Sequence, residues 1–194
     1  MPFAPLLKRS AVAAIAALAV QLTLAAEVGG VKLDDAVKVA GKDLRLNGAD
    51  VRTRIIFKVY AMGLYLAKKE TTTDAVLATP GPRRISLVML REVGADDFLQ
   101  AFVSGIEANV DKAERAKIGA QMARLGEIFN AVGGLKKGDA LTVDWVPEKG
   151  TVIEFNGKPQ GDALPDVAFY NALLRIWLGD KPADSSLKPQ LLGG

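Results

Sequence analysis

Three residues that lie close together in the sequence, Arg52, Lys58 and Tyr60, have side chains that could bind an anionic or carbonyl-bearing molecule. Arg52 comes shortly before the apolar run 55–66 (IIFKVYAMGLYL), whose β-branched and aromatic residues are typical of a core strand. A guanidinium keeps its charge at physiological pH, and burying it without a partner is strongly unfavourable. Arg52 is therefore either paired with an internal carboxylate or available to a ligand.

The spacing of these residues sets a condition on how they can meet. Arg52, Lys58 and Tyr60 share strand parity, so on one straight strand they would face the same side. Eight residues at ~3.3 Å each would, however, place Arg52 and Tyr60 ~26 Å apart. The two side chains can reach one ligand only if the chain turns or bulges between about residues 52 and 57.

The composition excludes several kinds of chemistry. The sequence contains no histidine and no cysteine, which removes the usual Ser-His-Asp and Cys-His catalytic groups, the common zinc sites and disulfides. We expect no cofactor and no metal. No run of Lys or Arg exceeds two residues, which argues against a nucleic-acid partner.

The N-terminus has the layout of a secretory signal peptide. Lys8 and Arg9 precede an uncharged run from Ala11 to Ala26 that ends in small residues. This run of 16 residues is shorter than the roughly 20 needed to span a membrane. The sequence therefore predicts a signal peptide over residues 1–26, cleaved near Ala25 or Ala26, and no membrane span in the mature chain. Residues 27–194 would form one periplasmic or secreted domain.

The hydrophobic pattern of the mature chain predicts strands first and helices later. Asn47-Gly48 is typical of a turn. Period-three-and-four spacing of apolar residues predicts a helix over 95–110, and Asp111 with Glu114 predicts a capping box for a helix ending at Gly133. Strands are predicted at 31–33, 37–39, 55–66, 84–93, 141–146 and 151–155, and a last long helix at 165–178. This order indicates an α+β domain, an antiparallel sheet covered on one face by helices.

Asn109 has two alternative roles. It shares a helix face with Phe98, Phe102 and Ile106, and a buried amide needs hydrogen-bond partners. Either the amide satisfies backbone groups at the C-terminus of its helix, or it is a polar point in an otherwise apolar ligand cavity.

The chain resembles the bacterial chalcone isomerase-like family, and through it the plant chalcone isomerases and their fatty-acid-binding relatives. The resemblance covers about residues 30–193. It is carried by the segments NGADVR (47–52) and KVYAMGLYL (58–66), by Asn109, and by Gly179 with the following Asp-Lys-Pro and Ser-Leu-Lys. It implies an open-faced β-sandwich: a curved antiparallel sheet with a helical layer on one face and a ligand cleft between the layers.

The resemblance also argues against chalcone cyclisation. Arg52 matches the arginine that stabilises the attacking phenolate in the plant enzyme, and Asn109 matches the helix asparagine. Tyr60 falls where the plant enzyme has a threonine that polarises the ketone, while Phe102 and Ile176 fall at positions with hydroxyl-bearing residues. Phe102 and Ile176 cannot donate hydrogen bonds, and lost oxyanion donors typically raise a barrier by several kcal/mol.

The same substitutions point to ligand binding. The fatty-acid-binding relatives hold a carboxylate with an arginine and a tyrosine at the positions of Arg52 and Tyr60. Phe102 and Ile176 would make the cleft more apolar, as an acyl chain requires. We therefore expect a non-catalytic domain whose partner is a lipophilic carboxylate such as a fatty acid, bound by Arg52, Tyr60, Phe102, Asn109 and Ile176.

Two other functions are compatible with the sequence. An isomerase or lyase acting on another small substrate would need an acid or base in the cleft, for which Lys58, Asp50 and Tyr60 are the candidates. A structural or interaction domain would instead have a filled cleft and an internal carboxylate paired with Arg52.

Overall fold

The computed structural model describes residues 25–194. The predicted signal peptide therefore lies outside the described residues, except for its last two positions. The strands are β1 (Ala25–Val28), β2 (Val31–Asp34), β3 (Ala36–Val39), β4 (Lys42–Arg54), β5 (Phe57–Leu66), β6 (Arg83–Met89), β7 (Ala140–Val146), β8 (Gly150–Phe155) and β9 (Lys158–Pro159). The helices are α1 (Thr73–Ala78), α2 (Ala95–Asn109), α3 (Lys112–Lys117), α4 (Gly119–Val132), α5 (Val167–Leu178) and α6 (Leu187–Leu191).

Strands β3 to β9 form one antiparallel sheet in which every strand neighbours the next in the chain. The sheet is curled, with helices packed against one face, so the predicted α+β class and the predicted curved sheet with a helical layer are confirmed. The short hairpin β1–β2 forms a separate two-stranded sheet. No helix within residues 25–194 is long and apolar enough to cross a membrane.

The main core lies between the sheet and the helices. Alternate residues of β5, from Tyr60 through Met62 and Leu64 to Leu66, are buried in it, as strand alternation requires. Helix α5 is buried on most sides, in agreement with its almost uniformly apolar sequence. Helix α2 packs closely on α5. Gly105 leaves no room for a side chain at this contact, since a Cβ there would lie 2.8 Å from Ile176 Cγ2.

The predicted turn at Asn47-Gly48 is wrong. Strand β4 runs through both residues with a shift of register between Leu46 and Gly48. The Asn47 amide donates to the carbonyls of Leu191 and Glu70 and accepts from Glu70 N. The side chain thus serves tertiary contacts rather than a local turn. The reversal of the chain comes later, at Ile55 and Ile56.

The predicted helix between Asp111 and Gly133 is two helices, with Ile118 at the junction of α3 and α4. Asp111 caps α3 by accepting from Glu114 N, as predicted. The second half of the capping box is absent from the described residues, because the Glu114 carboxylate accepts from Arg175 on α5 instead. Ile118, at the break, has non-helical dihedral angles and is buried in the core.

Candidate functional site

Arg52 and Tyr60 meet in the structure because they lie on neighbouring strands. The two-residue turn at Ile55-Ile56 folds β5 back along β4, and Arg52 is the cross-strand partner of Tyr60. A register shift between Arg52 and Thr53 adds a local bulge. The Arg52 guanidinium carbon lies 5.6 Å from the centroid of the Tyr60 ring. The chain therefore turns between residues 52 and 57, as the sequence required if Arg52 and Tyr60 were to meet, and it does so by forming a hairpin.

The two side chains line a cavity of about 350 Å³ between the sheet and the helices. Its buried lining residues are apolar apart from the Tyr60 hydroxyl, and its exposed ones come from the β4–β5 turn, the segment after β6 and the first turn of α2. The lining residues are Arg52, Arg54, Ile55, Phe57, Val59, Tyr60, Arg91, Glu92, Val93, Gly94, Asp97, Phe98, Ala101, Phe102, Ile176 and Ala183. An apolar space with a few polar groups is the usual form of a small-molecule site.

Arg52 has no counter-ion among the residues that the structure describes. Among residues 25–194, no carboxylate lies within 4.0 Å of its guanidinium nitrogens, and its buried Nε has no hydrogen-bond partner. Asp184 lies close enough to act electrostatically on Tyr60. Its carboxylate, however, accepts hydrogen bonds from Thr53 N and from the backbone and hydroxyl of Ser186. Of the two alternatives for Arg52, the structure shows the one without an internal ion pair.

Tyr60 is a buried neutral phenol. Its oxygen accepts a hydrogen bond of 2.7 Å from Trp177 Nε1 on α5. Because Trp177 Nε1 can only donate, the phenolic hydrogen remains free to be donated to another group. Burial raises the pKa of Tyr60 to about 12, against the opposing effects of Arg52 and of the Trp177 hydrogen bond. At neutral pH, Tyr60 is therefore a hydrogen-bond donor and not a base.

This shifted pKa predicts a loss of stability in alkaline solution. The unfolded chain releases the phenolic proton near pH 10, whereas folded Tyr60 holds it to about pH 12. Below about pH 10, the contribution of this shift to the unfolding free energy is fully present. It is lost as the pH rises to about 12, which lowers the unfolding free energy by about 3 kcal/mol.

Tyr60→Phe should therefore reduce the alkaline decline in the unfolding free energy, measured by denaturant titration at about pH 9 and about pH 12. Tyr65→Phe is a positive control and should reduce the decline in the same way, since burial also raises the pKa of Tyr65 to about 12 outside the cavity. An alkaline decline that is the same in Tyr60→Phe as in the wild type would contradict the assignment.

The apolar wall of the cavity is largely aromatic. Phe98 and Phe102, with ring centroids 4.8 Å apart, both belong to α2. Phe102 makes an edge contact with Trp177, at 5.5 Å between centroids. Ile176, from α5, closes the same wall and is buried. Such a wall can contact a hydrocarbon chain but offers it no hydrogen bonds.

Comparison with known proteins identifies the family. A family model described as chalcone isomerase-like matches residues 25–193. The chain belongs to the chalcone isomerase-like family. Its structure is similar to the crystal structure of a fatty-acid binding protein from Arabidopsis thaliana, with a TM-score of 0.68 and 13% identity over 84% of this chain and 92% of that chain. At this identity, the similarity shows a shared fold. No sequence among the curated proteins matches this chain significantly.

Asn109 of this chalcone isomerase-like chain lies outside the cavity, so its predicted place among the ligand-binding residues is not what the structure shows. Its amide donates to the carbonyls of Gly105 and Lys181 and accepts from Lys181 N. The first of its two alternative roles, at the helix C-terminus, is the observed one. Gly179 is required beside it, because a Cβ there would lie 2.3 Å from Asn109 Oδ1.

The other predicted residues divide into two groups. Arg52, Tyr60, Phe102 and Ile176 line one cavity, whereas the candidate acid–base residues Lys58 and Asp50 do not. Trp177 was not among the predicted residues, although it orients the Tyr60 hydroxyl from a position 117 residues later in the chain. A tryptophan on an apolar helix must find an acceptor for its N–H, but the sequence holds no signal for which acceptor it finds.

Proposed function

We propose that this chalcone isomerase-like domain binds a lipophilic carboxylate, such as a fatty acid, without converting it. The observation that carries the proposal is Arg52, a cation with no counter-ion among the described residues, placed beside Tyr60 at an apolar cavity. A ligand carboxylate would supply the missing partner for the guanidinium and an acceptor for the free phenolic hydrogen. Charge-assisted hydrogen bonds of this kind are among the strongest in proteins.

The cavity suits the other end of such a ligand. Its interior is formed by Val59, Phe98, Ala101, Phe102 and Ile176, and none of these side chains has a polar atom. A volume of about 350 Å³ is at the lower end of the range for small-molecule sites. It favours a ligand with one hydrocarbon chain. The fatty-acid binding protein that shares the fold is further support for this class of ligand.

The arrangement of titratable groups favours binding over turnover. Tyr60 has its pKa raised by burial to about 12, which moves it away from the range useful to a base at neutral pH. The carboxylates that line the cavity, Glu92 and Asp97, are exposed at its outer edge rather than within the apolar interior. An isomerase or lyase therefore has less support than a binding protein.

A purely structural role has less support as well. Such a domain should have a filled cleft and an arginine paired with an internal carboxylate. The structure instead has an open space beside Arg52, and the neighbouring Asp184 is committed to Thr53 and Ser186. These two features favour the ligand-binding function.

We also propose that the domain is exported to the periplasm or secreted, because residues 1–26 have the layout of a cleaved signal peptide. Cleavage after Ala25 or Ala26 would leave Glu27 and Val28 of β1, which pair with Lys32 and Val31 of β2. The mature chain would thus keep part of the first hairpin.

Native mass spectrometry of the full-length gene product, recovered from a periplasmic fraction, tests both proposals. We expect a protein mass that lacks residues 1–25 or 1–26. We also expect a non-covalent adduct that is lost on denaturation and identified as a fatty acid after extraction. Lipid-free protein that also fails to bind added oleate in calorimetry would contradict the ligand proposal. Retention of residues 1–26 in an exported protein would contradict the cleavage.

A further inference from the structure

The turn between β4 and β5 exposes three large apolar side chains to solvent. Ile55, Ile56 and Phe57, here called the hairpin tip, are 88%, 78% and 54% exposed. In the part of the chain that the structure describes, the other exposed large apolar residue is Val167, at 39%. Single exposed apolar residues are ordinary, but a contiguous group of them at the end of a hairpin marks an interaction site.

The backbone conformation at Ile55 in the hairpin tip is also unfavourable for isoleucine. Ile55 has a φ of 60°, a left-handed conformation that costs a β-branched residue roughly 1–2 kcal/mol. Two-residue hairpin turns favour Gly or Asn where φ is positive. Isoleucine at this position therefore serves neither the turn nor the core. Strained residues of this kind are concentrated at functional sites.

Cations surround the hairpin tip. Arg54 and Lys58 flank it in the sequence, and both are exposed. The Arg91 guanidinium carbon lies 5.1 Å from the centroid of the Phe57 ring. The segment 52–58 contains three cations and no acid, although Glu92 and Asp97 lie at the same edge of the cavity. An apolar tip within a basic rim is complementary to the surface of an anionic bilayer.

The hairpin tip is also part of the cavity mouth. Ile55, Phe57 and Arg91 line the cavity that contains Arg52 and Tyr60. Contact of the tip with a bilayer would therefore bring the mouth of the cavity to the lipid surface. A lipophilic molecule could then pass between bilayer and cavity with little exposure to water.

We infer that the hairpin tip inserts into the interface of anionic phospholipid bilayers and places the cavity mouth on the membrane. Ile55, Ile56 and Phe57 would supply the apolar contact, and Arg54, Lys58 and Arg91 would contact lipid phosphates. The exchange of a ligand at this surface rests on the proposed function. The docking of the tip does not, and it can be tested without a ligand.

The absence of cysteine from the sequence allows a single label to report on the tip. Ile56→Cys, labelled with the polarity-sensitive fluorophore NBD, is mixed with vesicles of phosphatidylglycerol and phosphatidylcholine. We expect brighter, blue-shifted emission with these vesicles and less change with pure phosphatidylcholine. Val167→Cys with the same label is the matched control, because Val167 is exposed but does not line this cavity. Its emission should stay unchanged.

A second variant keeps the test independent of labelling. Ile55→Asn with Ile56→Asn should reduce co-sedimentation with anionic vesicles by at least about tenfold, since two apolar side chains lose their lipid contact. Asparagine tolerates positive φ, so thermal unfolding should show a stability equal to or higher than that of the wild type. Lower vesicle binding in a fold that is at least as stable cannot be attributed to misfolding.

The outcomes separate this inference from the proposed function. Oleate binding in solution without vesicle binding would overturn the inference and leave the proposed function standing. Vesicle binding through Ile56 without oleate binding would support the inference and overturn the proposed function. Equal vesicle binding by the double variant would overturn the inference in favour of another membrane-binding surface. A blue shift that grows with protein concentration in the absence of vesicles would overturn it in favour of contact with a second copy of the chain.

Discussion

Arg52→Ala should lower the affinity of the delipidated protein for oleate by about 10-fold to 150-fold, measured by isothermal titration calorimetry. The expected loss corresponds to hydrogen bonds to a charged group, which contribute about 1.5–3 kcal/mol. Arg52 has no carboxylate partner among the described residues, so its charge would be used chiefly by the ligand. The fold should be affected little, because the contact with the Tyr60 ring contributes only about 0.5–1 kcal/mol.

Two further variants control this prediction. Arg45→Ala removes a cation from an exposed position on the same strand, outside the cavity, and should leave oleate affinity unchanged. Arg52→Lys should give an intermediate affinity, because it keeps the charge but loses the planar donors that match a carboxylate. Wild-type affinity in a folded Arg52→Ala protein would show that the guanidinium does not bind the ligand. Global unfolding of that variant would show a structural role instead.

Asn47→Ala should lower the unfolding free energy by about 3 kcal/mol, measured by denaturant titration. The amide makes hydrogen bonds of 2.7 Å and 2.9 Å to Leu191 O and Glu70 O, and accepts one of 2.8 Å from Glu70 N. Alanine would leave these backbone groups without their partner in a site where Asn47 is only 2% exposed. These bonds hold α6 and the segment after β5 against β4, so the loss should extend beyond one strand.

Asn47→Asp should destabilise the fold further, because it places a carboxylate oxygen against two carbonyl oxygens. Gly48→Ala tests the same contact by sterics, since a Cβ there would lie 1.9 Å from Gln190 O. Asn130→Ala, on the exposed side of α4, is the matched control and should change the unfolding free energy by less than about 0.5 kcal/mol. Wild-type stability in Asn47→Ala would contradict the anchoring role of this amide.

Local patterns in the sequence predicted most of the elements. The apolar spacing that defines α2 and the alternation in β7 and β8 are each complete within one segment, and burial against the core follows directly from them. Asp111 caps α3 through a partner three residues away. Interactions between residues this close in sequence can be predicted without knowing which other segments pack around them.

The errors came from residues whose partners lie far away in the chain. Asn47-Gly48 has a typical turn composition, but the Asn47 side-chain amide donates a hydrogen bond to the carbonyl of Leu191, 144 residues later. The Asn109 amide donates a hydrogen bond to the carbonyl of Lys181, 72 residues later. At Asn47, the turn preference is weak compared with three hydrogen bonds made in a buried site, so the tertiary contacts decide the local conformation. At Asn109, which is partly buried, the distant contacts decide which groups the amide bonds.

Hydrophobic patterning and residue chemistry were enough to predict the α+β class and to select Arg52 as the residue to test, while the apolar cleft was implied by the family resemblance. The sequence also set the condition that Arg52 and Tyr60 need a change of chain direction between them. The packing of distant segments was needed to show that this change is a hairpin, that Trp177 orients the Tyr60 hydroxyl, and that no carboxylate of the described residues pairs with Arg52. Composition and periodicity are properties of single segments, whereas a binding site depends on which segments pack together.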